Sequence, residues 1–350
     1  ENTPRLDYSG GASCPSLLLE PQRTNLATQS EYFGSSYWIK ELTSIVSNTI
    51  TSPDGTLNAD KLVENTSTGL HRTYSSIIPT IIGDDYTTSV FAKQGERSIF
   101  GIQISNGAQP YVWFNLATGE IELQQAGIVG KIEPLINGWY KCTASWNASS
   151  ATSDRVFIQL AKSINETNYT GDGTSGAYIY GATFEKGAYP TSYIPTYGVS
   201  QTRASEINNL ATPISLDGDF ALFWEGAVFE DDIMLYGSGT NAWYMNYTTS
   251  SGRIILDELS GRKVEAYLGS GTPTGVKTKI LIRRQGGVHN VFANGAKLTN
   301  NTSVNSTTTL SLSSMFWSFN SSFYKGLEVN QSLVFETALT DSECIALTTI

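Results

Sequence analysis

From Ala27 to about Pro195 the chain runs in short segments whose apolar and polar residues alternate with a period of two, and that period constrains the fold more than any other feature. Thr87 to Ala92, Ile99 to Ile104, Tyr111 to Leu116, Trp139 to Trp146, Val156 to Ala161 and Ala177 to Phe184 are the clearest cases. β-Branched and aromatic residues dominate them, which suits the pleated, half-buried surface of a strand. Between them lie Ser52-Pro53-Asp54-Gly55, Gln94-Gly95-Glu96, Ala117-Thr118-Gly119, Asn137-Gly138 and Gly171-Asp172-Gly173. Glycine supplies left-handed backbone, proline pre-sets φ, and Asn or Asp side chains bond within their own turn, so each cluster reverses the chain. Short strands joined at regular intervals by such turns make antiparallel sandwiches or jelly rolls.

A second series follows. Phe220 to Phe229, Ile233 to Tyr236, Ala242 to Tyr247, Arg253 to Asp257, Lys279 to Arg284, His289 to Ala293 and Ser332 to Phe335, with the turn Ala293-Asn294-Gly295, predict another sandwich. Between the two series, residues 187–205 carry Pro190 and Pro195 and little apolar periodicity, which places a connector there. A length of 350 residues leaves room for two cores. The expected architecture is all-β: two tandem antiparallel β-sandwich (jelly-roll) domains over 27–196 and 207–350, a linker at 197–206, and an N-terminal extended segment over 1–26. That first segment holds one apolar strip, Leu17-Leu18-Leu19, which predicts a single strand packed onto another element. The only helix predicted is Thr340 to Leu347, with Thr340 as N-cap and Glu343 completing a capping box.

Composition narrows function by exclusion. The net charge is −10 and charged residues make up only 15% of the chain, so the long-range field repels nucleic acid and anionic lipid, and no nucleic-acid partner is expected. No apolar run nears the roughly 20 residues that span a bilayer, so no membrane insertion is expected, and the polar N-terminus shows no signal peptide. Cys14, Cys142 and Cys344 are too few and too scattered for a disulfide framework or a CxxC site and read as buried thiols. With His71 and His289 alone, no histidine metal centre can be assembled; no GxSxG elbow exists, and Gly271 to Thr278 has the wrong spacing for a phosphate loop.

Glycoside hydrolysis needs two carboxylates about 5–9.5 Å apart. Glu225, Glu230, Asp231, Asp232, Asp257 and Glu258 come nearest to suitable positions, but adjacent carboxylates on a strand point to opposite faces. The chain therefore reads as non-enzymatic and without a required cofactor. Calcium needs only oxygen ligands, and Asp54, Asp172, Asp217 and Asp219 sit in Gly-rich turns where such ligands would converge. No DxDxDG loop accompanies them, and bonds within their own turns are the simpler role.

The 18 Tyr, 14 Phe and 7 Trp furnish cores and leave rings to stack on the apolar faces of sugars, while neighbouring polar groups take the hydroxyls. Five rings are candidate glycan contacts. Tyr111 and Trp113 share one face of their strand and Val112 and Phe114 the other; one face is core, and alternation does not say which. Trp243 and Tyr244 follow Gly237-Ser238-Gly239-Thr240-Asn241 as a loop-borne pair, and Trp317 forms a stripe with Phe319 between Asn/Ser/Thr-rich segments. For each ring taken singly, core packing is the competing role.

Several stretches carry a resemblance. Ser52-Pro53-Asp54-Gly55 leading to Ala59-Asp60-Lys61-Leu62, then Ser89-Val90-Phe91-Ala92-Lys93, Trp139-Tyr140-Lys141-Cys142, Tyr178-Ile179-Tyr180-Gly181-Ala182 and Tyr193-Ile194-Pro195-Thr196 resemble the carbohydrate-binding-module-like jelly rolls of phage tail fibres and related surface proteins. The C-terminal series, with its Asn294-Gly295 turn and the closing Ala338-Leu339-Thr340-Asp341-Ser342-Glu343 helix after Val334-Phe335, resembles the concanavalin A-like or laminin G-like sandwich that commonly follows such a module. Together these matches cover nearly everything after about residue 25. The resemblance implies a non-enzymatic, structural and adhesive protein of tail-fibre type, at a virion surface or extracellular, whose partners are cell-surface polysaccharide or other glycans and other virion proteins. A homotrimer follows from the resemblance alone, with the apolar strip before Ala27 as the segment for subunit contacts. Two alternatives stay open at this point: a polysaccharide depolymerase or glycoside hydrolase component using surface carboxylates, and a bacterial surface lectin.

Overall fold

The structure is a computed structural model of the chain and describes residues 6–7, 16–105, 109–149, 152–204, 209–229, 231, 233–238, 243–258, 261–269, 271, 273–318 and 327–349. It is all-β apart from short helical turns, and it divides into two compact units. One is continuous, residues 23–203; the other is split, residues 1–22 together with 204–350. The inserted unit and the split unit are described separately.

In the inserted unit the alternating runs pair antiparallel into two six-stranded sheets. The first orders Ile128–Pro134, Trp139–Asn147, Asp85–Gln94, Gly176–Lys186, Leu57–Glu64 and Thr43–Thr51. The second orders Glu120–Gln124, Tyr111–Asn115, Ile99–Ile104, Val156–Ala161, His71–Ser75 and Trp38–Glu41. Val90, Ala92, Ile179 and Phe184 of the first sheet share one core with Phe100, Ile102, Val112, Phe114, Ile158 and Leu160 of the second. In strands such as His71–Ser75 alternate residues are buried between the sheets, as the pleat of a sandwich requires, while the edge strand Glu120–Gln124 is exposed throughout. One irregularity is forced: Ser89 pairs with Thr183 and Phe91 with Tyr180, so Gly181 and Ala182 oppose Val90 in a bulge. Gly181 takes φ 57°, and a Cβ there would lie 2.8 Å from the Phe91 ring, so only glycine fits.

Residues 187–203, read from the sequence as a connector, belong to this unit and close over the first sheet. Side chains hold them where periodicity is absent. The fully buried Asn25 donates from Nδ2 to the Ala182 and Ile194 carbonyls and accepts the Ala27 and Phe184 N–H groups at Oδ1. Ser30 Oγ accepts from the Thr196 N–H and the Tyr193 hydroxyl, and Thr196 Oγ1 donates to the Ala27 carbonyl. Arg23–Asn25 then pairs with Gln201–Arg203, Arg23 directly opposite Arg203, so this unit's chain enters and leaves side by side.

The split unit is a sandwich of two seven-stranded antiparallel sheets. One orders Leu6–Asp7, Ser16–Leu19, Leu327–Phe335, Phe220–Val228, Thr278–Gln285, Val288–Ala293 and Ala296–Lys297. The other orders Asn209–Leu216, Leu310–Ser318, Ile233–Gly237, Trp243–Thr248, Arg253–Glu258, Gly261–Tyr267 and Asn300–Ser303. Leu222, Trp224, Ile280, Ile282 and Val291 pack with Leu235, Met245, Ile254, Leu256 and Val264 between them. The helix forms as predicted, over Asp341–Thr348, with the Thr340–Glu343 capping box in place. Its Cys344 packs on Ala221, Phe223, Leu281 and Phe292 on the other side of the first sheet.

The N-terminal strip does not await a second chain. Leu17, Leu18 and Leu19 pair with Val329, Glu328 and Leu327, and Leu19 enters the core of the split unit. The feature that suggested subunit contacts is therefore satisfied within one chain. Cys142 and Cys344 are buried free thiols, and burial pushes the thiol of each up; Cys14 lies outside the described residues.

Candidate functional site

The core assignment of the second sheet in the inserted unit decides which aromatic face is available. Val112 and Phe114 point inward, so Tyr111 and Trp113 point outward. Cross-strand pairing sets the rest of that face in two rows. One runs Glu41, Arg72, Gln159, Gly101, Trp113; the other runs Ile39, Tyr74, Phe157, Gln103, Tyr111.

Within these rows the polar groups form one chain. Arg72 Nε donates to Glu41 Oε2 at 2.7 Å and Nη1 to Gln103 Oε1 at 3.3 Å, and Gln159 Nε2 donates to the same Gln103 oxygen at 2.8 Å. Gln103 Nε2 in turn donates to the Gln109 carbonyl at 3.2 Å. Beside the network the Tyr74 and Phe157 rings lie 4.9 Å apart at 37°, with the Arg72 guanidinium 4.6 Å over Phe157 and the Arg155 guanidinium 5.4 Å over Tyr74. Tyr74, Phe157, Tyr111, Arg72 and Gln103 are half-buried and Gln159 is buried beneath them, which leaves ring surface and the Arg72 and Gln103 groups partly open together on one sheet face. Such a face can stack on the C–H side of a sugar ring while guanidinium and amide groups bond its hydroxyls.

Trp113 belongs to this face but does not offer its ring. It lies flat over Gly101, where a Cβ would come 2.5 Å from the indole, and is only 4% exposed among Ile99, Ala161, Tyr111 and Ile164. The pairing of Trp113 with Gly101 explains the glycine in an otherwise bulky strand. Tyr111 sits edge-on to it, centroids 6.2 Å apart, and keeps partial exposure.

The other three predicted rings are in the split unit. Trp243 is corrected from a loop-borne ligand ring to a core residue: it is 2% exposed, starts a strand opposite Glu258, and donates from Nε1 to the Ser311 carbonyl at 2.9 Å. Tyr244, its neighbour, points to the opposite side and donates to Asp257 Oδ2 at 2.8 Å; burial, then the Asp257 carboxylate, pushes its hydroxyl up to about 12. The strand position of Trp317 is opposite Met234, while its side chain, and Phe319 altogether, lie outside the described residues.

The turn aspartates are engaged by protein groups, within their own turns for Asp172, Asp217 and most of the Asp54 bonds, and across the chain for Asp219. Asp54 accepts from Ser52, Thr56, Asn58 and Tyr180; Asp172 from Thr174 and Ser175; Asp217 from Ser215; and Asp219 from the Gly286 N–H. The Ser175 hydroxyl and backbone N–H hold the Asp172 carboxyl well below the usual range. Among the described residues no three His, Cys, Asp or Glu side chains are grouped so as to hold a metal ion. The acids considered for hydrolysis are likewise committed: Asp257 to Arg262, Glu258 to Ser306, Glu225 to Lys279, Asp231 to the Thr249-Ser250 turn. Glu230 and Asp232 lie outside the described residues.

Sequence reasoning missed Arg72, Tyr74, Gln103, Arg155, Phe157 and Gln159. A signal existed: Ile99 to Ile104 and Val156 to Ala161 each contain a single polar side chain, Gln103 and Gln159, on an otherwise apolar strand. Only the register shows that these two strands are neighbours.

The sequence matches no known family model and no curated protein. Solved structures with a similar run of strands include the CBM40 domain of the Ruminococcus gnavus IT-sialidase bound to α2,3-sialyllactose, 12% identical over 41% of this chain and 97% of that one, TM-score 0.32. Domains LG4-5 of the mouse laminin α1 chain are 12% identical over 79% of this chain and 89% of theirs, TM-score 0.29. A truncated AlyQ with CBM32 and alginate lyase domains is 11% identical over 85% of this chain and 98% of that one, TM-score 0.25. Likenesses at this level do not extend to side chains.

Proposed function

We propose that the inserted unit is a non-enzymatic glycan-binding module that lays a sugar chain across the outward face of its Arg72-bearing sheet, and that the whole chain serves as an adhesive, extracellular or virion-surface fibre component. The observation that carries the binding half is the Tyr74–Phe157 ring pair set beside the Glu41–Arg72–Gln103–Gln159 network. Rings alone would mark a core and polar groups alone a solvated surface; both on one partly open face suit a ligand with an apolar ring plane and hydroxyl edges. The adhesive-fibre half rests on the sequence resemblance.

Titration of the full chain on an array of bacterial and host polysaccharides tests the binding half. Phe157→Ala and Tyr74→Ala are expected to weaken the best ligand more than tenfold each, and unchanged affinity in both would remove this face from consideration. Release of new reducing ends from any bound polysaccharide would replace the reading with a depolymerase. Antibodies against the chain that label virions and block adsorption would establish the fibre role; labelling of bacterial envelopes instead would make it a surface lectin. Light scattering on the intact chain tests the homotrimer, which a monomer mass would remove.

A further inference from the structure

The cations of the proposed glycan face are not matched by its acids. Arg72 has Glu41 as its ion-pair partner at 2.7 Å. Arg155 has none: its guanidinium rests over Tyr74, and among the described residues no carboxylate lies within ion-pair distance of it. Its backbone is held on both sides, N–H to Ser105 Oγ at 2.8 Å and carbonyl from the Ser105 N–H at 3.1 Å, so the root of the side chain is fixed next to the strand. Two residues later on the same face is Phe157, whose ring lies tilted against Tyr74 and also has the Arg72 guanidinium over it. The order across the face is thus guanidinium, ring, ring, guanidinium, with one carboxylate at one end.

Hydrogen-bonding capacity is skewed the same way. Among the described residues Arg72 uses Nε and Nη1 within the network and has no partner for Nη2, and no side-chain hydrogen bond occupies the Arg155 fork. A neutral sugar presents hydroxyls that both donate and accept. A face whose uncommitted groups are guanidinium N–H donors, in a chain of net charge −10, is complementary to an acceptor that carries negative charge. The planar guanidinium fork matches a carboxylate or sulfate in two parallel bonds, and the Tyr74 ring beneath it limits the planes the fork can take.

We propose that this face selects glycans bearing an anionic substituent, a uronic-type carboxylate or a sulfate ester, and that Arg155 receives that group while Tyr74 and Phe157 carry the sugar ring. This rests on the glycan-binding reading of the same face. Arg155 is a direct ligand contact here, and Arg72 anchors the amide network and adds the second positive charge.

The test is an array that carries the same polysaccharide backbones in neutral, carboxylated and sulfated form, probed with the full chain, with Arg155→Gln and with Arg155→Lys, alongside polyglutamate as a polyanion without sugar. The acidic forms are expected to bind at least tenfold more tightly than their neutral counterparts, with the preference shrinking as salt rises. Arg155→Gln should abolish the preference while leaving residual binding of the neutral form, and Arg155→Lys should keep part of it; unchanged thermal midpoints would confirm folded variants. Carboxylated and sulfated arms separate the two acidic chemistries. Equal binding of neutral and acidic forms, a preference that survives Arg155→Gln, or polyglutamate bound as tightly as the acidic glycan would each overturn the inference and leave the glycan reading standing. Absence of binding to every glycan would instead bring down that reading.

Discussion

Two outward sheet faces, one in each unit, are made of the same kinds of side chain and end up in opposite states. In the split unit Arg262 clamps Asp257 through Nε and Nη2 at 2.8 and 3.1 Å and reaches Glu265 through Nη1 at 3.1 Å, Arg253 Nε meets Glu265 at 3.0 Å, and the Tyr244 and Tyr267 hydroxyls donate to the same two acids. Two arginines face two carboxylates, and both tyrosine hydroxyls are spent. In the inserted unit Glu41 is the one carboxylate, among the described residues, that pairs with Arg72 or Arg155, and the half-buried rings lie next to them. The presence of Tyr, Arg and acids on a strand face therefore does not mark a site. What marks it is the remainder after the face has satisfied itself.

Trp243 separates a core role from a ligand role most sharply. Trp243→Ala is expected to destabilise the split unit by about 4 kcal/mol, measured by urea unfolding, because it empties a fully packed core position. A ring that served only a ligand would leave the unfolding midpoint where it was. Next in size is acid. Burial, with the Arg284 guanidinium beside it, lowers the His289 imidazole to about 4, against 6.5 in the unfolded chain. Above pH 6.5 both states are neutral and this contribution is complete; as pH falls from 6.5 toward 4 the unfolded chain takes up the proton first, and roughly 3 kcal/mol is lost. His289→Gln should flatten that part of the stability–pH curve, and a wild-type curve no steeper than the variant's would refute it.

Gly101→Ala, in the inserted unit, is expected to cost about 2 kcal/mol, since the new methyl must displace the Trp113 indole across the strand. A shift in tryptophan fluorescence should accompany it. The smallest effect belongs to the self-satisfied face: Arg262→Gln, which removes a bidentate clamp but leaves Arg253 and two tyrosine hydroxyls on the same acids, should lower stability by about 1 kcal/mol and leave glycan affinity untouched. If it weakened binding as Phe157→Ala does, the two faces would have to be treated as equivalent.

The fold was legible where a local signal existed. Period-two runs from Thr87 to Phe184 became strands, and the Thr340–Glu343 capping box became the start of a helix. The boundaries were not, because residues 187–203 are held by Asn25, Ser30 and Thr196, through hydrogen bonds to backbone far away in sequence that leave no periodic trace. Likewise the Leu17–Leu19 strip announces a need for a partner but not that Val329 and Leu327 supply it. At the site, alternation separated Tyr111 and Trp113 from Val112 and Phe114 but could not choose between two aromatic faces. Trp243 misled for a related reason: Gly and Ser before it read as a loop, while its pairing with Glu258 makes it the first residue of a buried strand.

The adjacency of Arg23 and Arg203 has a consequence for the order in which the molecule is assembled. Paired strand residues lie about 5 Å apart at their Cα atoms, so once the inserted unit is folded its whole length spans no more than that. The loop that must close before Leu17–Leu19 can join Leu327–Val329 is then more than halved, which lowers the entropy lost in closing it by somewhat more than about 0.6 kcal/mol. The inserted sandwich is local in sequence and the N-terminal strand's pairing is not, so loop-closure entropy favours folding of the inserted unit before the N-terminal strand joins its sheet.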